Sequence, residues 1–359
     1  MKKLIILTDE DSAFLLAMAD LKNYTSMDIN KIRDSFQAKD FSVEVYKFSE
    51  LDLKPDYRGV YFVYQTVEIP GSFYKHYIED LIFFLEKQGA VVMPKYELLK
   101  AHHNKVYMEM LRMKFRDESL KTIKSKCYGS WVDAMSYNSH FPVVIKESSG
   151  AGSRGVYLAR NREQFNRLVR KGGKTIVASG PADLLLSYIK TARKKAIKFL
   201  SPSKSGYLQY DTTPVSRSLV IQTFIEGLSN DCKVLIFGKK YYARYRKTRK
   251  NDFRASGSGV SYDVPDKDYE GILNYARKLA GEIDFPILGM DIGFDGKEYH
   301  LFEFQVIHIG TYPFHSSKFW HEFQNGKWVK FEGKSNLEEE FSRSIIDYIT
   351  SNLKNGYDA

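Results

Sequence analysis

Residues 142–158 read Pro-Val-Val-Ile-Lys-Glu-Ser-Ser-Gly-Ala-Gly-Ser-Arg-Gly-Val-Tyr-Leu, two apolar runs separated by a glycine-rich turn. Gly150, Gly152 and Gly155 have the spacing Gly-x-Gly-x-x-Gly, which on its own is a weak signal. In a dinucleotide-binding fold this loop would open a helix, but the residues from Val156 onward have the composition of a strand. The pattern therefore predicts a strand–loop–strand hairpin.

A glycine-rich hairpin can lay its backbone N–H groups over phosphates, as it does in protein kinases. The hairpin lacks the Gly-Lys-Ser/Thr ending of a P-loop, and the chain lacks the His-Arg-Asp loop of kinases. Lys146 ends the first apolar run, where a lysine is costly to bury unless it meets an anion. These features favour a phosphate-covering hairpin; the alternative is a flexible hairpin with a surface lysine.

Two carboxylates near the C-terminal end of the sequence lie among apolar residues, Asp291 and Glu303. Between them, Asp295-Gly296 predicts a hairpin turn. Strand alternation places Gln305 on the same face as Glu303, and antiparallel pairing can bring Asp291 opposite them. Buried carboxylates require a cation, and oxygen ligands suit Mg²⁺. The alternative is that both carboxylates point outward on a half-exposed hairpin.

A basic stretch covers residues 231–254. Within it, Arg244 and Arg246 flank Tyr245 on a predicted strand and share one face. Interleaved Tyr and Arg suit nucleic acid, whereas a phosphoryl-transfer site uses arginines to bind an acidic substrate and neutralise developing charge. A solvated edge strand is the third interpretation.

The composition is that of a globular protein: of 359 residues, 43% are hydrophobic and 27% charged, with a net charge of +10. It excludes a disordered, collagen-like or coiled-coil chain. No run approaches the ~18 apolar residues of a membrane span, and the apolar run at Leu4–Leu7 is too short for a signal peptide. We therefore expect a cytoplasmic protein. The positive charge permits nucleic acid, an anionic membrane face or a phosphate-bearing ligand.

The remaining pattern predicts a small parallel α/β unit over the first 100 residues, where strands and helices alternate. Residues 97–113 read as one amphipathic helix or two. A helix with a basic face is predicted over 184–200, and residues 314–336 are expected to form a surface loop or an interface.

Taken in order, these segments resemble the ATP-grasp superfamily of carboxylate–amine ligases over roughly residues 100–310. Residues 104–111 are similar to the helix that bears the first nucleotide lysine, here Lys105, and residues 142–146 to the strand that bears the second, Lys146. Residues 222–227 resemble the hinge, whose backbone reads the adenine edge and whose acid, Glu226, binds the ribose.

The likeness is closest to the glutamate-ligase branch. Residues 231–238 are similar to its Asp-hydrophobic-Arg strand, with Lys233 in place of Arg. Residues 242–246 resemble its arginine strand, and residues 252–256 its Phe-Arg-x-Asn segment, with Ser256 in place of Asn. Asp291, Glu303 and Gln305 match the metal set, with Gln305 where Asn is usual.

The resemblance implies an α/β (α+β) chain with the ATP-grasp fold. It places a Rossmann-like pre-ATP-grasp domain at 1–98 and a central domain at 99–222, with a glycine-rich lid at about 140–218. A C-terminal domain with the metal site follows at 223–359. The lid would exclude water from the reaction.

The implied reaction activates a carboxylate with the γ-phosphate of ATP, and an amine then attacks the acyl phosphate to give an amide, ADP and phosphate. Arg246 and Arg254 would orient the carboxylate, and Mg²⁺, or alternatively Mn²⁺, would bind at Asp291, Glu303 and Gln305. The residues expected to bind the nucleotide are Lys105, Lys146, Ser149, Gly150, Gly152, Gly155, Phe224, Ile225, Glu226 and Asp231.

The expected partners are a small-molecule carboxylate and a small-molecule amine. Amino-acid or sugar-acid substrates, used in building a surface polysaccharide or a peptide, are one hypothesis. The basic face of the 184–200 helix could hold a phosphorylated or membrane-linked acceptor, which would allow peripheral membrane contact; a solvated charged face is the alternative. His308 could be a base or a packed, hydrogen-bonded residue. Two other function classes stay open: a basic nucleic-acid-binding protein, in which buried Asp291 and Glu303 make little sense, and a nucleotide-binding regulator or scaffold without turnover.

Overall fold

A computed structural model describes residues 1–14, 17–18, 24–66, 74–150, 154–173, 189, 217–248, 252–254 and 260–354. The chain divides into two compact units. Unit 1 comprises Met1–Ile123 and Ile225–Ala359, and unit 2 comprises Lys124–Phe224. The three-domain division expected from the sequence stays a prediction.

The first part of unit 1 is an α/β layer around a parallel four-stranded sheet in the order β4-β1-β5-β6. Strands β1, β5 and β6 are mostly buried, as parallel strands covered by helices usually are, whereas the edge strand β4 is buried only at Phe41. The strands and helices, with a short β2–β3 pair, are β1 (Lys2–Thr8), β2 (Ala17–Met18), β3 (Tyr24–Thr25), α1 (Ile29–Gln37), β4 (Phe41–Lys47), β5 (Val60–Tyr64), α2 (Tyr74–Lys87), β6 (Val91–Met93), α3 (Tyr96–Ala101) and α4 (Lys105–Met113).

The segment 97–113 forms two helices, α3 and α4. The backbone leaves the helical region at His102 and is left-handed at His103, with φ of 51°. Asn104 then caps α4 by accepting a hydrogen bond from the Tyr107 N–H. This break places Lys105 in the first turn of α4, where it is buried.

Unit 2 is built on an antiparallel sheet in the order β7-β10-β8-β9. One face packs against two helices through Val143, Ile145 and Phe165, among others. The elements are β7 (Ser125–Tyr128), α5 (Trp131–Ala134), β8 (Val143–Glu147), β9 (Val156–Ala159), α6 (Arg162–Gly173) and β10 (Leu219–Thr223). The hairpin predicted around the glycine-rich turn is confirmed as β8 and β9, while the predicted 184–200 helix lies outside the described residues apart from residue 189.

The second part of unit 1 contains a seven-stranded antiparallel sheet in the order β15-β14-β11-β12-β16-β17, with β13 paired to β12. Its elements are β11 (Asn230–Phe237), β12 (Lys240–Lys247), β13 (Ser261–Asp263), α7 (Asp266–Ala280), β14 (Ile287–Phe294), β15 (Tyr299–Gln305), α8 (Tyr312–Ser316), β16 (Phe319–Gln324), β17 (Lys327–Glu332) and α9 (Leu337–Lys354). Among the described residues, no helix has the length and hydrophobicity of a membrane span.

The surface loop expected over 314–336 is wrong for residues 319–332, which form the β16–β17 hairpin. Its turn is Asn325-Gly326, and both residues have positive φ, 49° and 80°. Asn-Gly between two alternating runs is the strongest short hairpin signal. The dipeptide and the alternation of aromatic residues with lysines on either side of it together carry the signal for this hairpin.

Candidate active site

One face of the seven-stranded sheet carries a cluster of acidic and basic side chains. Along β11, Asp231 and Lys233 point to one side, and Cys232 and Val234 to the other. The antiparallel register brings Arg246 opposite Asp231, and Asp291 opposite Lys233. We call this side the charged face; it comprises Asp231, Lys233, Arg244, Arg246, Asp291, Glu303 and Gln305.

A four-residue ion-pair network lies at the centre of the charged face. The Arg246 guanidinium donates Nε to Asp231 Oδ1 at 2.7 Å and Nη2 to Asp231 Oδ2 at 2.6 Å. The same Nη2 lies 2.9 Å from Asp291 Oδ2, and Lys233 Nζ lies 3.2 Å from Asp291 Oδ1. Asp231 and Lys233 are buried. Two carboxylates and two cations thus neutralise one another out of water, as buried charges require.

The pKa values of the network follow from its geometry. Burial raises the pKa of Asp231, against the opposing effect of Arg246. Burial acts the same way on Asp291, but the charges of Arg246 and Lys233 outweigh it and lower the pKa of that carboxyl to about 2. The two carboxylates raise the pKa of Arg246. Asp291 is therefore ionised at neutral pH.

Glu303 and Gln305 lie beside this network on β15. Glu303 is the register partner of Asp291, and Gln305 that of Gly289, so the predicted pairing of the two carboxylate strands is confirmed. A bulge between Asp291 and Ile292 marks the same point of the hairpin. In the described part of the chain, Asp291 Oδ1 accepts no hydrogen bond of ordinary geometry. A buried carboxylate oxygen of this kind, opposite a second carboxylate, fits a divalent cation.

The loop after β15 crosses the sheet and reaches the parallel layer. A Cβ at Gly289 would lie 2.8 Å from Ile309 Cβ, so only glycine lets the loop pass at this distance. Gly310 lies beside the Lys233 stem: a Cβ there would be 3.8 Å from Lys233 Cε. His308 Nε2 donates to the carbonyl of Thr66. Because a carbonyl can only accept, Nε2 carries the proton, which fits a packed, hydrogen-bonded histidine.

A buried arginine on α4 was missed by sequence reasoning. Arg112 lies 3.3 Å from Glu109 and donates to the carbonyl of Phe302, at the bulge next to Glu303. Both charged side chains are almost fully buried. No sequence signal pointed to them, since a charged pair three residues apart on a helix is usually solvent-exposed.

A second group of possible metal ligands lies at the turn of the same hairpin. One ligand atom each of Asp295, Glu298 and His300 lie within 4.8 Å of one another. Asp295 Oδ1 accepts the N–H groups of Lys297 and Glu298, and its Oδ2 lies 3.1 Å from His300 Nε2. These contacts are those of a turn held by its own aspartate.

In unit 2, the glycine-rich turn is closed by Glu147. This carboxylate binds Arg217 at 2.6 Å and accepts from the Tyr157 hydroxyl at 2.8 Å. Gly155 has a φ of 70° and packs directly on Glu147, whose Cβ would lie 2.9 Å from a residue-155 Cβ. Alternation along β8 places Lys146 on the sheet face opposite to Ile145 and the unit's core.

The other predicted residues are distributed over both units. Ser149 and Gly150 follow β8, with Gly150 at a φ of 129°, and Gly152 and Ser256 lie outside the described residues. Phe224, Ile225 and Glu226 follow β10, where the chain passes from unit 2 back to unit 1. Arg254 is not brought into the network: its Nη2 donates to Asp252 at 2.7 Å.

Five of the seven described cations of the basic stretch are paired with carboxylates: Lys233, Lys240, Arg244, Arg246 and Arg254. Lys239 and Lys247 form no ion pair with a described residue. Besides the network and Arg254, Arg244 binds Asp263 at 2.5 Å and Ser261 at 3.2 Å. Such a surface offers nucleic acid fewer uncommitted cations than the sequence suggested.

No protein-family model matches the chain, and no curated protein of similar sequence is found. Solved structures do match. A D-alanyl-alanine synthetase A from Vibrio cholerae superposes over 99% of this chain and 100% of its own, with a TM-score of 0.52 and 11% identity. A RiPP-associated ATP-grasp ligase from Chryseobacterium gregarium covers 98% of this chain and 97% of its own, at a TM-score of 0.49 and 12% identity.

A RimK domain ATP-grasp protein from Sphaerobacter thermophilus covers 85% of this chain and 91% of its own, at a TM-score of 0.45 and 9% identity. Identities this low show the fold and leave function to be argued from the site. The fold class expected from the sequence is confirmed: the chain has the ATP-grasp fold.

Proposed function

We propose that this protein is an ATP-dependent ligase that joins a carboxylate to an amine through an acyl phosphate, releasing ADP and phosphate. The observation that carries the proposal is the pairing of Asp291 with Glu303 on a sheet face that also holds Arg246 and Lys233. Opposed carboxylates with adjacent cations suit a metal–phosphate complex. A nucleic-acid-binding surface or a metal-free scaffold has no use for such an arrangement.

Asp291, Glu303 and Gln305 are the residues we assign to the metal, with Mg²⁺ as the first choice and Mn²⁺ as the alternative. When bound, the cation would supply positive charge that neutralises the charge developing on the phosphate oxygens. Gln305 supplies an amide oxygen, which can ligate as the more usual Asn does. Asp231 holds Arg246 by two hydrogen bonds and so sets the orientation of the guanidinium.

The nucleotide-binding residues are assigned within each unit separately. In unit 1 they are Lys105 on α4, together with Ile225, Glu226 and Asp231. In unit 2, Lys146 and the backbone of Ser149, Gly150, Gly152 and Gly155 would bind phosphates, and Phe224 would contact the base. Phosphoryl transfer depends mainly on such positioning and electrostatics.

Two arginines are assigned to the reacting carboxylate. Arg246 would orient it and stabilise the charge on the phosphoryl group as the γ-phosphate moves to the carboxylate oxygen. Arg254, which binds Asp252 in this structure, would do so after exchanging that partner. The amine nitrogen would then attack the acyl carbon, and phosphate would leave.

Thermal unfolding with and without ATP and Mg²⁺ tests the nucleotide site. A ligand present at ~100 times its dissociation constant stabilises by about 2.7 kcal/mol, so the wild-type midpoint should rise. The double variant Asp291→Asn, Glu303→Gln should lose the metal-dependent part of that rise. Absence of any rise in the wild type would refute the proposal.

A matched control lies in the same hairpin. Asp295→Asn with Glu298→Gln makes the same change of charge at the turn, in the other group of possible ligands. This variant should keep the full rise with ATP and Mg²⁺. If it loses the rise and the first double variant keeps it, the metal site has been assigned to the wrong end of the hairpin.

The substrates are to be found by following ADP release with pools of carboxylic acids and amines. Amino acids and uronic-acid sugars are the first candidates, since a surface polysaccharide or a peptide is the hypothesis that the sequence raised. An amide between a uronic acid and an amino acid would support the sugar-acid branch, and no product from any uronic acid would count against it. The cytoplasmic location stays a prediction.

A further inference from the structure

Lys233 occupies the side of Asp291 that a metal ion would need. Its Nζ lies 3.2 Å from Asp291 Oδ1, and both side chains are largely buried. Within the described ranges, Oδ1 has no other polar partner. The oxygen best suited to bind a cation is therefore already neutralised by a residue of the chain itself.

The network is neutral without a metal. Asp231 and Asp291 carry two negative charges, and Lys233 and Arg246 carry two positive ones. A divalent cation bound at Asp291 would place two further positive charges beside Lys233. At contact distance inside a protein, that repulsion opposes metal binding strongly unless an anion compensates it or the ammonium moves away.

The two cations differ in how easily they can move. Arg246 is held by two hydrogen bonds to Asp231 and a third contact to Asp291, a fixed and planar arrangement. Among the described residues, the Lys233 ammonium forms one ion pair, with Asp291, at the end of a flexible four-carbon stem, and that stem runs beside Gly310, which has no side chain to hold it. Of the two, Lys233 is the residue that can change partner.

We propose that Lys233 is a displaceable counter-ion of Asp291, which keeps divalent cations out of the site until nucleotide phosphates take over the ammonium group. Metal and nucleotide then bind together, and the protein alone binds metal weakly. The inference rests on the proposed function, because it assumes that Asp291 and Glu303 bind the metal of a metal–nucleotide complex.

The experiment measures Mn²⁺ binding by electron paramagnetic resonance of the free ion, with and without a non-hydrolysable ATP analogue. Without nucleotide, Lys233→Met should bind Mn²⁺ at least tenfold more tightly than the wild type. Lys233→Arg keeps the charge and should bind as weakly as the wild type. With the analogue present, the wild type and Lys233→Met should differ by less than threefold.

Lys239→Met is the matched control, because it removes the same charge from an exposed position at the end of β11. It should bind Mn²⁺ like the wild type. Lys233→Gln is measured in parallel, in case Lys233→Met shows no cooperative thermal unfolding. The glutamine amide can still donate a hydrogen bond to Asp291, so this variant does not leave the carboxylate without a donor. It should also bind Mn²⁺ more tightly than the wild type.

Two results would overturn the inference. One is unchanged Mn²⁺ affinity of a folded, neutral Lys233 variant without nucleotide. The other concerns the wild type alone: it would be found to bind Mn²⁺ at Asp291 as tightly without nucleotide as it does in the nucleotide complex. Either would leave the proposed function standing, provided the complex binds the ion and Asp291→Asn abolishes this. If the wild type binds no metal even with the analogue, the proposed function itself fails.

Discussion

The two faces of the seven-stranded sheet are made by the same strands and bury opposite kinds of side chain. On β11, Cys232 and Val234 lie on the face that α7 covers, where Tyr245 also donates to Asp268 of that helix. Asp231 and Lys233 alternate with them along the strand, point to the charged face and are also buried. We call the first side the helix-covered face.

The difference shows what burial demands of each kind of residue. On the helix-covered face, stability comes from many small contacts, and the loss of one is partly absorbed by its neighbours. On the charged face, each group depends on a specific partner, because an ion left alone out of water is far costlier than a missing methyl group. A single substitution on the charged face should therefore lower the free energy of unfolding much more than a single substitution on the helix-covered face.

The largest effect is expected when the central arginine of the network is removed. Arg246→Met leaves Asp231 and Asp291 buried without their shared partner, and should lower the free energy of unfolding by about 3–5 kcal/mol. Arg244→Met, two residues away, removes a partner of the exposed Asp263 and should cost about 1 kcal/mol or less. Urea unfolding measures both; equal losses would contradict the claimed difference between the two arginines.

A smaller loss is expected where the loop crosses the charged face. Gly289→Ala places a methyl group 2.8 Å from Ile309 Cβ and 3.0 Å from its carbonyl, so strand or loop must shift, at a cost of about 3 kcal/mol. Gly129→Ala, whose Cβ would meet its nearest neighbour at 3.7 Å, is the control and should be nearly neutral. Chemical denaturation at neutral pH compares them, and a harmless Gly289→Ala would show that the loop is not held against β14.

The helix-covered face should make the stability of the protein depend on pH between pH 7 and pH 5. His321 on β16 packs against the Tyr269 ring of α7, and burial lowers its pKa to about 4. The unfolded chain binds a proton near pH 6.5, so stability is complete above that pH and is lost as pH falls towards 4. Between pH 7 and pH 5 the loss should be about 2 kcal/mol.

His321→Gln removes this titration and is compared with the wild type at both pH values. Asp291, on the charged face, should act in a lower window: its pKa is lowered to about 2, so its contribution is present above pH 4 and is lost only as pH falls towards 2. If His321→Gln shows the same loss between pH 7 and pH 5 as the wild type, the histidine is not buried as described.

The smallest effect concerns the β16–β17 turn at the edge of the sheet, away from both faces. Gly326 has a φ of 80°, and an alanine there should cost about 1 kcal/mol. Nothing lies within 4 Å of a Cβ at this position, so the backbone alone is responsible. Thermal unfolding of Gly326→Ala measures it, and a gain in stability would show that the turn has another conformation.

Much of the fold could be predicted from local pattern. The strand expected over residues 231–238 and the hairpin expected at Asp295-Gly296 are both confirmed. The β16–β17 hairpin was missed although Asn325-Gly326 announced it. The parallel layer could be predicted from the alternation of strands and helices, because the hydrophobic periodicity within each segment identifies it as a helix or a strand.

For the site, the sequence predicted the residue types and the pairing of Asp291 with Glu303 across their own hairpin. Nothing local in the sequence pairs Lys233 with Asp291, since that contact depends on the register of β11 against β14. The burial of Arg112 depends likewise on a bulge on another strand. Properties that arise from register and packing between distant segments are outside the reach of periodicity, which describes one element at a time.

The course of the chain through the two units has a consequence for how the protein is made. The chain leaves unit 1 after Ile123 and returns at Ile225. Where it leaves and returns, Thr223 donates its N–H to the carbonyl of Lys124 at 2.9 Å, so the ends of unit 2 are neighbours. A segment with adjacent ends can be inserted into a surface turn, or removed from it, without separating the flanking chain.

Unit 1, by contrast, cannot complete its packing until the ribosome has synthesised the second part of the unit, near residues 338–341. The Phe14 ring packs against Phe341 at 5.5 Å, and the N–H of Asp28 donates to Glu338. At about 5–20 residues per second, the early layer waits for its last partners for tens of seconds. During that time its apolar surface is open to chaperones, while unit 2, which is one continuous stretch of the chain, can already fold.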